Sequence, residues 1–299
     1  MVPNSIHRPR RKGWRFFLGI TVVGGLIVAS AAATHAGNRL LATGGVMQLE
    51  GSAGGGLTPW ALIAGLGTDR QVGASAFCTS VNPQDFQLRS CGMAFGIRDR
   101  VELSYARQRF DLDKIIPDQA IGQSVFGAKV RLFGDAVFDQ DSWYPQVSAG
   151  LQYKKNSDFS FVPQLLGARD DSGVDYYVAA TKVYLAGPFS RMWLVNATLR
   201  ATNANQLGIL GFGGDRNDSH KVMGEGSVAA FLTDSVVLGA EYRQKPNNLS
   251  SFEEDDYWDG FAAWFPTKYL SMTAAYADLG NIAMKPDQRG WYLSLQGSF

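Results

Sequence analysis

Residues 289–299, at the carboxyl end of the chain, alternate between two kinds of side chain. One face carries Trp291, Leu293, Leu295, Gly297 and Phe299, and the other carries Tyr292, Ser294, Gln296 and Ser298. Side chains of a β-strand point alternately to its two faces, so this segment is a strand with one apolar and one small polar face. Such a strand is typical of a transmembrane β-barrel, which faces lipid outside and water inside. An ordinary strand closing a soluble sandwich is the alternative.

The amino terminus indicates export. Residues 1–15 carry five bases and no acid, residues 16–33 are apolar, and small residues stand at Thr34 and Ala36. This pattern predicts a Sec signal cleaved after Ala36, whereas a lasting transmembrane helix is the competing reading. No cysteine at the cleavage site could take a lipid. We therefore expect residues 1–36 to be a signal peptide, residues 37–299 to form one barrel domain, and the location to be the outer membrane of a Gram-negative bacterium.

Composition excludes one class of partner. The whole chain has 28 Lys and Arg against 27 Asp and Glu, and five of the bases lie in the signal. The exported part is therefore net acidic, and we expect no nucleic acid as a partner.

Alternating segments of about ten residues recur along the chain and predict an all-β, antiparallel, up-and-down barrel. We expect fourteen strands, with twelve as the alternative. The first two predicted strands are residues 45–54 and 58–67, and because the strand at 58–67 would start outside, an even-numbered barrel needs 45–54 before it. Long connections such as 155–173 and 203–219 should face outward, and tight ones such as 233–234 the periplasm. Too few residues precede the first strand to form a plug, so we expect none.

The two cysteines flank one predicted hairpin tip. A turn centred between Gln84 and Asp85 places Cys78 directly opposite Cys91, within disulfide range. The cell envelope is oxidising, so we expect a structural disulfide, with two free thiols as the alternative.

Few residues could carry catalysis. His220 is the one histidine left after signal removal, and neighbouring strand residues point to opposite sides, so Asp218, Ser219 and His220 make a poor triad. A barrel hydrolase or lipid-modifying enzyme is the minor alternative to a protein that is not an enzyme. Acidic runs at 168–175, 211–218 and 252–256 lack the spacing of a calcium loop, so we expect solvated loops and no cofactor or metal. The apolar stretch 207–214 either folds into the barrel mouth or packs on a neighbouring loop.

Alternation assigns a set of charged side chains to the lumen. Polar, charged and small residues facing inward predict a passive, porin-like channel for small polar solutes. The alternative is a non-conducting barrel whose acidic outer loops bind a partner, lipopolysaccharide or a divalent cation. The charges expected in the lumen are Glu50, Arg89, Glu102, Lys129, Arg131, Lys154, Lys182, Arg200, Lys221, Glu225, Glu241, Arg243 and Asp259.

The last strand also predicts partners. Trp291, Leu293, Leu295 and the terminal Phe299 resemble the signal read by the barrel-assembly machinery, although Gly297 stands where an aromatic residue is common. We expect that machinery and outer-membrane lipid, including lipopolysaccharide, to be partners.

Several stretches resemble one proteobacterial family of unknown function, number 3034 among such domains. They are residues 167–182, 199–206, 210–218, 240–246 and 262–268. The resemblance covers nearly the whole exported chain and implies an exported, barrel-like protein. It implies no activity and no catalytic residue.

Overall fold

The computed structural model describes Ala42 and residues 44–299. The predicted signal peptide lies outside the described residues. Two very short strands come first, followed by twelve long ones. The strands are β1 (Val46–Met47), β2 (Ala53–Gly54), β3 (Val72–Pro83), β4 (Gln87–Ile97), β5 (Val101–Asp111), β6 (Ala120–Phe133), β7 (Gln146–Asn156), β8 (Ser172–Tyr184), β9 (Trp193–Thr202), β10 (Lys221–Thr233), β11 (Val236–Arg243), β12 (Tyr257–Thr267), β13 (Leu270–Asp278) and β14 (Arg289–Ser298). One short helix, α1 (Val162–Leu165), and two 3₁₀ turns, Pro188–Ser190 and Gln206–Gly208, lie in the connections.

Strands β3 to β14 form a closed barrel in which each strand pairs antiparallel with its sequence neighbours. The seam joins β14 to β3, from Gly290 opposite Pro83 to Ser298 opposite Ser75. The expected all-β antiparallel barrel is therefore confirmed, and its strand number is twelve, the alternative to fourteen.

Successive connections alternate between the two ends of the barrel, and the three longest, residues 157–171, 203–220 and 244–256, lie at the same end. One end, the loop end, carries residues 84–86, 112–119, 157–171, 203–220, 244–256 and 279–288. The opposite end, the turn end, carries 98–100, 134–145, 185–192, 234–235 and 268–269. The linker into β3 and the last residue of the chain also lie at the turn end. There Phe299 exchanges main-chain hydrogen bonds with Ala74 and accepts one from the N–H of Leu66.

A hairpin of residues 44–67 occupies the lumen. It contains β1 and β2, which pair through Val46 with Gly54 and Met47 with Ala53. Every residue from 45 to 67 is buried. The expectation of no plug is wrong, and segments 45–54 and 58–67 are the two halves of this hairpin rather than wall strands.

The barrel wall has two chemically distinct faces. Inward positions are mainly polar or small, and outward positions are mainly large and apolar because alternate residues point to opposite sides. The outward set includes Met93, Phe95, Leu103, Phe126, Leu151, Tyr153, Tyr176, Val178, Val195, Leu199, Leu238, Trp258, Trp264, Met272, Tyr276, Trp291, Leu293 and Leu295, all exposed to the surroundings of the barrel. Among the described residues, no helix combines the length and the apolar character needed to cross a bilayer.

Candidate functional site: the lumen and the hairpin it holds

Wall side chains bind the main chain of the hairpin. The Glu102 carboxylate accepts hydrogen bonds from the N–H groups of Ala53, at 3.1 Å, and Ala64, at 2.9 Å. Lys129 donates to the carbonyl groups of Ala53, at 3.0 Å, and Trp60, at 3.1 Å. Lys129 Nζ also lies 3.1 Å from Glu102 Oε1. This buried ion pair is thus completed by hairpin peptide groups, which lowers the cost of removing both charges from water.

A second contact holds the hairpin at residues 57 and 58. Glu241 accepts from the N–H of Leu57 at 2.8 Å and from the Thr58 hydroxyl at 2.6 Å. Ser227 accepts the indole N–H of Trp60 at 2.9 Å and donates to Glu241 at 2.8 Å. Both the main chain and the side chains of the hairpin are therefore bonded to the wall here.

A third contact surrounds the returning half of the hairpin. The Thr181 hydroxyl accepts from the N–H of Ala61 at 2.7 Å, while Gln146 and Ser148 each donate to the carbonyl of Ala61 at 2.6 Å. Thr198 donates to the carbonyl of Pro59 at 2.9 Å. Buried peptide groups need such partners, and here the polar wall supplies them in place of a sheet ladder.

Glu50 places the negative charge of the hairpin inside a cluster of wall cations. Its carboxylate pairs with Lys154, lies 2.7 Å from Arg243 Nη1 and 3.8 Å from Arg200 Nη2. Burial alone raises the pKa of Glu50, but the charges of Arg243, Lys154 and Arg200 outweigh it and hold that pKa well below its usual range. The carboxylate is therefore ionised across the physiological pH range.

Two wall carboxylates complete the charge balance of this cluster. Asp175 lies 2.6 Å from Lys154 and 3.3 Å from Arg200, and Glu225 pairs with Arg200 and lies 3.4 Å from Arg243. Three acids thus face three bases, all of them buried. Withdrawing the hairpin removes one acid and leaves a net positive wall at this level.

Another pair of acids shows no such balance. Asp259 lies directly opposite Glu241 across β11 and β12. Asp259 is 1% exposed, and neither of its carboxylate oxygens has a hydrogen-bond partner within the described part of the chain. The contacts of Glu241 with the hairpin therefore form next to a second buried carboxyl group.

The loop end of the lumen is covered by residues 203–214, which we call the mouth loop. Gln123 donates to the carbonyl of Leu207 at 3.1 Å, and Asn156 donates to that of Ile209 at 2.6 Å. Leu207 shares a buried apolar cluster with Leu49 and Leu57 of the hairpin. Of the two expectations for this stretch, the structure therefore shows the loop folded into the mouth.

The structure places most of the charges expected in the lumen on the inner wall. Those buried on inward positions are Glu102, Lys129, Lys154, Lys182, Arg200, Glu225, Glu241, Arg243 and Asp259. Lys221 is half-buried at the loop end of β10, on the same face as Glu225. Asp175 belongs to this set and was missed, because its strand begins in an acidic run that was interpreted as an outer loop.

Two assignments need correction. Glu50 is in the lumen but belongs to the hairpin and not to the wall. Arg89 is exposed on the outer face, because β4 turns Leu88 and Ser90 inward. Arg131 lies on the same face as Lys129, half-buried at the turn end of β6, where it pairs with Asp99 at 2.5 Å and Asp135 at 3.0 Å.

The cysteines and the histidine occupy separate places outside the lumen. Cys78 and Cys91 are bonded as a disulfide between directly paired positions of β3 and β4, with Cα atoms 4.1 Å apart, on the outer face. His220 bonds to the carbonyl of Val174 at 2.7 Å, and Ser219 donates to Asn217. Asp218, Ser219 and His220 thus do not contact one another as a catalytic triad.

The acidic loops have partners of their own. Asp218 pairs with Arg169 at 3.1 Å, and Asp215 accepts from Ser250. Within residues 42 and 44–299, no three His, Cys, Asp or Glu residues come together in a way that could hold a metal ion.

The fold defines a class, a twelve-stranded β-barrel that encloses a hairpin of its own chain. The chain belongs to the DUF3034 family of proteins of unknown function, whose model matches residues 43–296. No curated protein matches the sequence.

Solved structures with a similar fold include a KdgM porin, at a TM-score of 0.48 and 10% identity over 75% of this chain and 99% of that one. Omp33 of Acinetobacter baumannii matches at 0.47 and 10%, over 78% and 100%. Outer membrane phospholipase A from Escherichia coli matches at 0.40 and 10%, over 76% and 91%. At these identities no residue role is carried across to this chain.

Proposed function

We propose that this protein is an outer-membrane channel for small polar solutes whose lumen is held shut by its own hairpin, residues 44–67. Support for the membrane location comes from the outer face, where large apolar side chains follow one another around the barrel. A soluble monomer rarely exposes a continuous apolar surface of this extent. The loop end, which carries the three longest connections, then faces the outside of the cell, and the turn end faces the periplasm, because long loops are extracellular in such barrels.

The observation that carries the channel proposal is the chemistry of the contact between wall and hairpin. Glu102, Lys129, Gln146, Thr181 and Glu241 bind peptide groups, and peptide groups make hydrogen bonds that water can also make. Apolar wall side chains such as Phe110, Leu194 and Phe261 also share a buried cluster with the hairpin. The polar wall groups that bind the hairpin peptide groups can nevertheless be hydrated when the hairpin leaves, so the hairpin is a removable occupant and the wall behind it suits polar solutes.

The proposal is tested by removing the hairpin. Gly44 lies in contact with Gly65, since a Cβ built on Gly44 would be 3.1 Å from the Gly65 carbonyl oxygen. Residues 45–64 can therefore be deleted and the chain rejoined without stretching the wall. In planar bilayers the full chain should conduct rarely, whereas the deletion variant should show long-lived open channels.

A control variant and a test of folding distinguish a channel from a non-conducting barrel. A Gly260→Ala variant should behave as wild type, because a Cβ at that position meets no atom within 4 Å. A deletion variant that keeps heat-modifiable mobility but does not conduct would contradict the channel and favour a non-conducting barrel that binds a partner through its loops. Steady conductance by the full chain would show that the hairpin does not close the lumen.

A further inference from the structure

The outer face carries a cluster of cations at the loop end of β4 to β7. Arg89 on β4 lies directly opposite Arg109 on β5. Arg107 lies on β5 two residues nearer the turn end. It is opposite Ser124 on β6, which in turn is opposite Lys155 on β7. All four cations are exposed. We call Arg89, Arg107, Arg109 and Lys155 the basic patch.

On its turn-end side, the basic patch borders a row of apolar and aromatic side chains. The next outward row toward the turn end contains Met93, Tyr105, Phe126 and Tyr153, which pair in that order across the same four strands. The rings of Tyr105 and Phe126 are 4.9 Å apart. Outward rows are about 7 Å apart along a strand, so cations and rings lie within the reach of one amphiphilic molecule.

The patch contains fewer anions than cations. Arg109 pairs with Asp111 at 2.7 Å, and Asp158 accepts from the N–H of Gly122 beside Arg107. Arg89 donates to Gln87, and Arg107 donates to Ser124 and Ser157. Like charges directly opposite each other, as Arg89 and Arg109 are, destabilise a sheet unless an anion lies between them.

Another exposed arginine shows the contrasting case. Arg289 lies at the loop end of β14 and pairs with Asp278 at 2.6 Å and Asp287 at 3.5 Å. Its charge is balanced by two carboxylates, whereas in the basic patch the ion pair found among the described residues is that of Arg109 with Asp111.

We propose that the basic patch binds the phosphorylated headgroup of an outer-leaflet lipid of the lipopolysaccharide class, with its acyl chains on Met93, Tyr105, Phe126 and Tyr153. Guanidinium groups bind phosphate through paired, charge-assisted hydrogen bonds, and aromatic rings favour the boundary between headgroups and acyl chains. The inference rests on the membrane placement in the proposed function and does not depend on conduction.

Binding of purified lipopolysaccharide to the full-length protein in detergent, followed by native mass spectrometry, tests the site. The double variant Arg89→Gln/Arg109→Gln should bind at least about tenfold more weakly, because it removes the charge-assisted hydrogen bonds of two guanidinium groups to phosphate. Arg289→Gln should bind as wild type. Dephosphorylated lipopolysaccharide should lose most of its affinity, and inorganic phosphate alone should bind much more weakly than the lipid.

Three outcomes would overturn the assignment. They are unchanged affinity in the double variant, equal loss in Arg289→Gln, and equal affinity for free phosphate and lipid. Heat-modifiable mobility reports folding of each variant, and Arg89→Lys/Arg109→Lys should regain part of the affinity. Conductance is measured separately, on the variant that lacks residues 45–64. If that variant conducts but the protein does not bind the lipid, this site alone is refuted. If the protein binds the lipid but the folded deletion variant does not conduct, the channel alone is refuted.

Discussion

Glu50 of the hairpin and Arg243 of the wall form an ion pair of 2.7 Å in which both side chains are buried. The pair joins two parts of the chain that have no sheet ladder between them. Its strength therefore bears on how firmly the hairpin is held.

Replacing Glu50 with Gln should weaken the hold on the hairpin. The change leaves Arg200, Arg243 and Lys154 facing only Asp175 and Glu225, and removing one partner from a buried ion network costs about 3 kcal/mol or more. In planar bilayers the frequency of channel opening should rise by at least about tenfold.

A loop acid provides the matched control for this charge change. Glu253 is exposed in the connection between β11 and β12, so Glu253→Gln should leave opening frequency and thermal stability unchanged. Equal opening in Glu50→Gln and wild type would show that the ion cluster does not retain the hairpin.

Lowering the pH should weaken the attachment of the hairpin to the wall, because it protonates Glu50. Because the wall cations lower the Glu50 pKa from its ordinary value of 4.5, its contribution to attachment is complete above that pH and falls as the pH drops below it. Opening frequency measured from pH 7 to pH 3 should therefore rise in the acid part of the range. Glu50→Gln should have lost that share of the pH dependence, and identical pH profiles for the two proteins would contradict it.

Gly55 should not tolerate a side chain. A Cβ there would lie 1.9 Å from Glu241 Oε1, so Gly55→Ala must displace the carboxylate that binds Leu57 and Thr58. We expect a stability loss of roughly 1–3 kcal/mol, seen as a lower transition temperature, together with more frequent opening. Gly260→Ala serves as the control. If the Gly55→Ala protein is as stable as wild type and its channel opens as rarely, the close contact between Gly55 and Glu241 is refuted.

Phe299 should matter for insertion. We expect the carboxyl-terminal face of Trp291, Leu293, Leu295 and Phe299 to be read by the assembly machinery, and the main chain of Phe299 bonds to Leu66 and Ala74 at the seam. Deleting Phe299 should lower the membrane-inserted, heat-modifiable fraction in cells. Normal insertion of the truncated chain would argue against this role.

The sequence is enough to predict a barrel, because an apolar outer face and a polar inner face impose a period of two on every wall strand. The same pattern misleads at residues 45–54. Inside a polar lumen Gln48 and Glu50 find partners as readily as on a wall strand, so alternation alone does not separate hairpin from wall. The glycine-rich tip between Gly51 and Gly56 is the signal that could have done so, since a lipid-facing strand carries large side chains.

The charged side chains of the lumen were predicted less completely than the barrel, because alternation assigns a side chain to a face but not to its partners. Charges identify the inner face reliably in mid-strand, as at Lys129, Arg200 and Glu241, because the outward positions there carry large apolar side chains. Near strand ends the outer face is no longer uniformly apolar, and Arg89 is exposed there on that face. The pairing of Glu50 with cations of β7, β9 and β11 depends on contacts far apart in sequence, which periodicity does not contain.

Both ends of the hairpin, at Gly44 and near Leu66, lie at the turn end of the barrel, beside the β14–β3 seam. No free chain end has to be threaded through a finished cylinder for the lumen to be filled. Closing of the seam and docking of residues 45–64 can therefore be separate kinetic steps during biogenesis, in either order. A short-lived, water-filled form of the barrel is topologically accessible on the way to the native state, without any strand of the wall being broken.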